Sequence, residues 1–160
     1  MKKIFSLISI ATMLFGAINV AEAKTADNQK EQKAVSPEIY LSVFDTSVEP
    51  FTDLKTTVLP RSQSALRLCW VAQGQFSEMV STIETLKAPK KQTVTAQGSQ
   101  ISTSKDGKVN VIRSTLETLD QGRNLVRCWN FDESDPLGQY KIQIQIMGKI
   151  YQDLPFSVVK

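Results

Sequence analysis

The chain has 160 residues, of which 41% are hydrophobic and 22% charged, with a formal net charge of +3 and no histidine. Without histidine, Ser-His-Asp and Cys-His catalysis, histidine metal sites and imidazole acid–base chemistry are excluded. Acidic and basic residues are interspersed along the chain, so the small positive charge predicts no nucleic-acid-binding surface.

The N-terminus has the pattern of a secretory signal peptide. Lys2-Lys3 gives a positive start, an apolar stretch runs from Ile4 to about Leu14, and Ala21-Glu22-Ala23 places small residues at the two positions that signal peptidase reads. The alternative is an uncleaved anchor, but a spanning helix requires roughly 20 apolar residues and this stretch is shorter. We predict cleavage after residue 23, and a soluble periplasmic or secreted product with no membrane span.

The next residues, 24–36, are polar and charged and contain no aromatic side chain, so we expect a disordered N-terminal segment. Residues 37–160 remain for one folded domain, a length typical of single domains. A first strand is predicted at residues 38–44, where apolar residues lie at every second position. Residues 45–64 hold two prolines and many Ser and Thr residues, which indicates a loop with a short strand.

Two matching dipeptides, Cys69-Trp70 and Cys128-Trp129, lie in predicted strands. In an oxidising compartment the cysteines are expected to form a disulfide, because the chain has no Cys-x-x-Cys motif and no histidine to complete a redox or zinc site. Neighbouring side chains of a strand point to opposite faces, and the bulkier apolar sets include the tryptophans. We therefore expect both tryptophans inward and both cysteines outward, in a bridge between neighbouring strands. The opposite orientation would expose both tryptophans as a binding surface.

The middle of the chain is ambiguous in one segment and clear in the next. Apolar residues between Phe76 and Leu86 follow helical spacing, although the β-branched residues among them favour a strand. We predict a short helix near residues 77–86. Residues 101–112 are predicted to form a hairpin, because Asp106-Gly107 supplies the positive φ angles that a tight turn requires.

The C-terminal third has the clearest strand pattern. Apolar residues alternate with polar ones from Tyr140 to Ile146, Met147-Gly148 forms a turn, and a last apolar strand follows. That strand contains Pro155, which has no N–H for a ladder hydrogen bond, so we expect it at a sheet edge. Since every well-defined element is β, the sequence predicts an all-β antiparallel sandwich.

The stretch Asp135-Pro136-Leu137-Gly138-Gln139-Tyr140 resembles the tyrosine corner of immunoglobulin-like sandwiches, where a Tyr hydroxyl bonds back to nearby backbone. The resemblance implies that Asp135 and Gly138 shape the turn and that Tyr140 clamps it. Two features depart from that pattern: the Asp–Gly spacing is one residue longer, and Ile142 stands where antibody domains have their second cysteine. The resemblance covers about the last 35 residues and implies an immunoglobulin-like fold, without implying a function.

No catalytic, cofactor-binding or metal-binding constellation is found, so we expect a non-enzymatic protein without cofactor or metal. Three acidic residues, Asp132, Glu133 and Asp135, could hold calcium, but they lack the ligand spacing of known loops and we favour a solvated corner. A Ser–Lys dyad stays open as an alternative, although nothing singles out a particular serine.

Three functions are compatible with these features. The first is an exported protein-binding module that contacts another envelope protein, by strand addition at the edge that carries Pro155 or through loops at one end of the sandwich. The second is a structural subunit of a surface fibre or adhesin. Residues 24–36 argue against it, because they lack the alternating apolar residues of a donated strand. The third is a small inhibitor of a cell-wall hydrolase.

Overall fold

A computed structural model describes residues 36–160, which form ten β-strands. The strands are β1 (Glu38–Asp45), β2 (Thr52–Asp53), β3 (Val58–Pro60), β4 (Leu66–Gln73), β5 (Met79–Lys87), β6 (Gln100–Thr103), β7 (Val109–Glu117), β8 (Asn124–Trp129), β9 (Gly138–Ile146) and β10 (Lys149–Val159). The predicted signal peptide at residues 1–23, and the predicted disordered segment up to residue 35, lie outside the described residues. Within residues 36–160, no helix is long and apolar enough to cross a membrane.

The strands form two sheets, with the orders β2-β1-β4-β8 and β3-β10-β9-β5-β7-β6. Every pairing is antiparallel except that of β3 with β10. Side chains from both sheets share one apolar core, whose largest buried members include Trp70, Leu125, Tyr140, Ile144 and Phe156. The prediction of an all-β antiparallel sandwich is confirmed.

The two strands that carry the cysteines are neighbours in the smaller sheet. Cys69 on β4 lies directly opposite Cys128 on β8, and their sulfur atoms are bonded at 1.99 Å. Trp70 is fully buried in the core, and the half-buried Trp129 packs against it. The alternation of side chains therefore brings the tryptophans inward and leaves the disulfide between neighbouring strands of one sheet.

The helix predicted near residues 77–86 is wrong. This segment forms β5, which pairs with β7 on one side and with β9 on the other. Burial alternates with a period of two, and the buried residues are Val80, Thr82, Glu84 and Leu86. The apolar residues alone do not show the period of two, because two of the four side chains that face the core, Thr82 and Glu84, are polar. The β-branched residues and the two flanking strands determine the conformation instead.

Both predicted hairpins are present. β6 pairs with β7 across a turn that contains Gly107 at φ 70°, and β9 pairs with β10 across Met147-Gly148, which both have positive φ. The edge position predicted for the strand with Pro155 is only partly correct. The three-residue β3 pairs with residues 157–159 of β10, whereas Pro155 itself lies outside that pairing.

Candidate functional site

A groove of about 680 Å³ lies along the outer edge of β8. It is lined on one side by residues 127–129 of β8 and by Asn130, which follows the strand, and on the other by residues 92–97 from the link between β5 and β6. Phe131, Asp132, Ser134 and Asp135, from the segment before β9, also contribute to the lining. The volume lies within the range of ligand-binding clefts. We call this feature the β8 groove.

Backbone groups of alternate β8 residues point away from β4 toward the open edge of the sheet, as strand pairing shows, and of these residues Cys128 lines the groove. The Cα atoms of Cys69 and Cys128 are 4.0 Å apart, which is the close spacing of a non-hydrogen-bonded antiparallel pair, so the N–H and C=O of Cys128 point away from β4. The backbone N–H and C=O of Val126, two residues earlier, also point away from β4. Asn124 supports this assignment, because its backbone N–H and C=O bond on that side to Leu119, at 3.2 and 2.8 Å.

A buried carboxylate lies beside the groove and connects the two sheets. Glu84 on β5 is fully buried, and its Oε2 accepts hydrogen bonds from the indole Nε1 of Trp70 at 3.0 Å and of Trp129 at 2.7 Å. Its Oε1 lies 3.6 Å from Nε of Arg127, whose guanidinium stacks over the Trp129 ring at 4.7 Å. Both inward tryptophans therefore donate to one acceptor on the opposite sheet.

The ionisation of Glu84 is set by opposing effects. Burial raises the pKa of this carboxyl group, while the two indole N–H donors and the Arg127 guanidinium lower it and offset part of the rise. Oε1 has no hydrogen-bond partner in the described range, because the Arg127 nitrogen is at ion-pair distance only. Glu84 has no exposed surface, so its carboxyl group is sealed from solvent.

Sequence reasoning identified the tryptophans and missed Glu84 and Arg127. No local pattern marks a carboxylate as buried, and Glu84 lay in a segment with helical apolar spacing. One signal was available. Two tryptophans that point inward from neighbouring strands each require a buried acceptor for the indole N–H.

The predicted corner residues lie at another part of the groove. Asp135 accepts a hydrogen bond from Nε2 of Gln92 at 2.6 Å and another from the backbone N of Asp132 at 2.8 Å. Gly138 has φ 137°, and the Tyr140 hydroxyl donates to the carbonyl oxygen of Pro136 at 2.6 Å, the contact that the resemblance to a tyrosine corner implies. Asp135 thus shapes the turn and also anchors the wall of the groove.

Gln92 is a second residue of the site that sequence reasoning missed. Its side chain is 8% exposed, and its Oε1 has no hydrogen-bond partner among residues 36–160. Since Gln92 lines the β8 groove, a buried acceptor is available there. Residues 36–160 contain no group of three or more His, Cys, Asp or Glu side chains arranged to hold a metal ion.

Comparisons with known proteins place this structure in a family. Residues 39–159 match a family model described as the PM0630 beta sandwich domain. The chain is also 24% identical to "Uncharacterized protein PM0630" of Pasteurella multocida (strain Pm70), in an alignment of 162 residues that covers 100% of both chains. The matched range includes both cysteines, both tryptophans and the whole β8 groove. The chain therefore belongs to the PM0630 β-sandwich domain family.

Proposed function

We propose that this chain is an exported, non-catalytic protein-binding module and that the β8 groove is its binding site. The observation that carries the proposal is the groove itself, which combines unpaired backbone groups of an edge strand with a buried, unpartnered glutamine oxygen. Proteins recognise extended segments of other proteins through such edges.

Export is supported by the N-terminal pattern and by the chemistry of the cysteines. A positive start, an apolar stretch and Ala21-Glu22-Ala23 suit signal peptidase, and a disulfide between Cys69 and Cys128 persists in oxidising compartments. Intact-mass measurement of the protein purified from its native organism should give a chain that begins at Lys24 and carries the disulfide. A chain that starts at Met1, or native material with two free thiols, would contradict export.

We further propose that the sandwich is immunoglobulin-like. The neighbours β1, β4 and β8 correspond in order to strands A, B and E, while β5, β9 and β10 correspond to C, F and G in the second sheet. The corner formed by Tyr140 stands at the start of β9, which is the position of the tyrosine corner in strand F. In this correspondence strand D is missing beside β8, which accounts for its open edge.

The binding function is tested with a photo-crosslinking amino acid at Thr95, an exposed residue that lines the groove. The matched control carries the same amino acid at Glu117, an exposed residue of β7 that does not line the groove. Irradiation of cells should give one defined adduct with an envelope protein from position 95 and none from position 117. If position 95 gives no adduct, or both positions give the same one, the groove is not the binding site.

A further inference from the structure

We propose that the β8 groove binds an extended segment of another protein, which adds to the smaller sheet as a strand beside β8. The segment has alternating apolar and acidic residues. This inference rests on the proposed function and specifies the partner and its mode of binding.

One residue of the chain already pairs with β8 on the side where the added strand would lie. Leu119 and Asn124 form an isolated antiparallel bridge on the outer side of β8, so Leu119 occupies the position of a neighbouring strand for a single residue. Beyond it, the backbone N–H and C=O groups of Val126 and Cys128 point the same way, and no residue of the range 36–160 bonds to them. The groove lies at the C-terminal half of this edge, where residues 127–129 of β8 and Asn130 line it.

Other sheet edges carry features that hinder strand addition. β2, β3 and β6 have only two, three and four residues. The outer side of β10 is interrupted by a bulge between Tyr151 and Leu154, with Asp153 at φ 51°, and then by Pro155. Short strands, bulges and prolines protect edges against pairing with other chains. β8 has six residues and contains no proline, lysine or bulge, and the charge of its one inward-pointing Arg127 is paired with Glu84. The structure thus favours β8 over the edge with Pro155 that the sequence suggested for a partner strand.

The lining of the groove indicates the side chains of the added strand. Alternate residues of that strand face either the interior of the sandwich or the outer surface. On the inner side Val94 and Trp129 offer apolar contact, since both pack against the core. Four charged side chains line the groove: Arg127 pairs with Glu84, and the carboxylates of Asp132 and Asp135 accept hydrogen bonds within the fold. On the outer side Arg67 of β4 is exposed and forms no ion pair with any described residue, so it is the charge left for a partner. An apolar side chain inward and an acidic one outward complement these surfaces.

The test begins with a random 12-residue peptide library displayed on phage and selected against the purified full chain. Selected peptides should alternate apolar and acidic residues. In synthetic copies, N-methylation of every second backbone amide should abolish binding while the intervening positions tolerate it, because only alternate amides of a strand face its neighbour. Amide hydrogen exchange of Val126 and Cys128 should slow when the peptide binds. If N-methylation shows no period of two, or if these two amides are unaffected, strand addition is wrong.

Two variants of β8 separate backbone recognition from side-chain recognition. Val126→Pro removes an N–H that points away from β4 at the free edge of β8, so peptide binding should weaken about tenfold, the effect of one hydrogen bond of roughly 1.4 kcal/mol. Val126→Thr keeps the N–H and a similar shape, and should bind as the native protein does. Equal binding by both variants would overturn the proposal. Near-ultraviolet circular dichroism checks that each variant is folded.

The acidic character of the partner has its own test, which does not depend on folding of the proline variant. Arg67→Glu should weaken binding of the selected peptides at least tenfold, and the loss should be smaller in high salt. Lys105→Glu makes the same charge change in the turn between β6 and β7, outside the groove, and should leave binding unchanged. Equal effects of the two substitutions would overturn the assignment of an acidic segment.

The remaining outcomes distinguish other occupants. Slow exchange of the Val126 and Cys128 amides in dilute protein without peptide would mean that the chain covers its own edge. Slow exchange only at high concentration, together with a dimer in sedimentation equilibrium, would assign the groove to a second copy. Both results overturn the proposal. An envelope adduct from position 95 with no change at these amides would leave the proposed function intact and refute strand addition alone, whereas no adduct would refute the function.

Discussion

Glu84 illustrates how a single buried charge depends on groups from both sheets. Removal of a carboxylate from water costs several kcal/mol unless hydrogen bonds and an opposite charge compensate. Here two indole N–H groups and Arg127 offset part of that cost for a side chain with no exposure. Because Trp70 and Trp129 each follow a cysteine, the disulfide holds the two indoles in register on adjacent strands. The Cys-Trp pairs are therefore parts of one network, with Glu84 at its centre.

Replacement of Glu84 by Gln should change how the free energy of unfolding depends on pH. The native-state pKa of Glu84 is raised above its ordinary value of 4.5, mainly by burial. Its stabilising contribution is therefore fully present below that value and is lost as the pH rises through the native pKa. Urea unfolding of both proteins between pH 4 and 8 should show the wild type losing unfolding free energy relative to Glu84→Gln as the pH increases. Parallel curves would contradict a raised pKa.

The turn between β7 and β8 is held by a close approach of two backbone segments. Gly122 lies in this turn at φ 82°, and its carbonyl oxygen accepts a hydrogen bond from the backbone N of Phe76 at 2.8 Å. A Cβ at this position would lie 2.5 Å from the carbonyl oxygen of Phe76. The backbone of two segments therefore approaches too closely for any other residue. This packing holds the turn that brings Leu119 opposite Asn124.

Two glycine substitutions separate the effect of this close packing from the strain that a positive φ causes by itself. Gly122→Ala should lower the free energy of unfolding by about 3 kcal/mol, because a steric clash with backbone adds to the strain of a positive φ. Gly148→Ala is the matched control. Its φ is 79°, no described residue other than its two chain neighbours has an atom within 4 Å of the added Cβ, and a loss of about 1 kcal/mol is expected. Urea denaturation measures both. Equal losses would show that the approach to Phe76 has no energetic effect.

Across the whole molecule, the disulfide links strands that are distant in the chain. Cys69 and Cys128 are 59 residues apart, and between them the chain forms three strands of the opposite sheet. Cross-linking a loop of this length reduces the entropy of the unfolded chain, which corresponds to about 4 kcal/mol of stabilisation in the loop-entropy description. Such a term is a large part of the net stability of a small domain, roughly 5–15 kcal/mol.

The double substitution of Cys69→Ala and Cys128→Ala should therefore lower the free energy of unfolding by up to about 4 kcal/mol. Denaturant unfolding at one pH, with the oxidised native protein as reference, measures the difference. Amide exchange of β8 should accelerate more than that of β5, because β8 has a single neighbouring strand. An unchanged midpoint of unfolding would show that the bond contributes nothing to stability.

The features that could be read from the sequence are local ones. Period-two alternation and turn residues predicted the hairpin of β9 and β10, and the Asp106-Gly107 turn predicted that of β6 and β7. Neighbouring residues alone decide such patterns, because side chains of a strand alternate and a tight turn requires positive φ. The pairing of Cys69 with Cys128 was equally accessible, since no other cysteine is present. Of the candidate site, these patterns supplied Trp129 and Asp135.

Only the tertiary structure decided the remaining features. β5 is a strand because β7 and β9 flank it, and Glu84 is buried because two tryptophans from the other sheet lie above it. The open edge of β8 likewise depends on which distant segments pair and which position in the sheet remains vacant. Long-range pairing and burial are properties of residues brought together from separate parts of the chain. A local pattern contains no information about such neighbours, and for that reason the groove appeared only in the folded molecule.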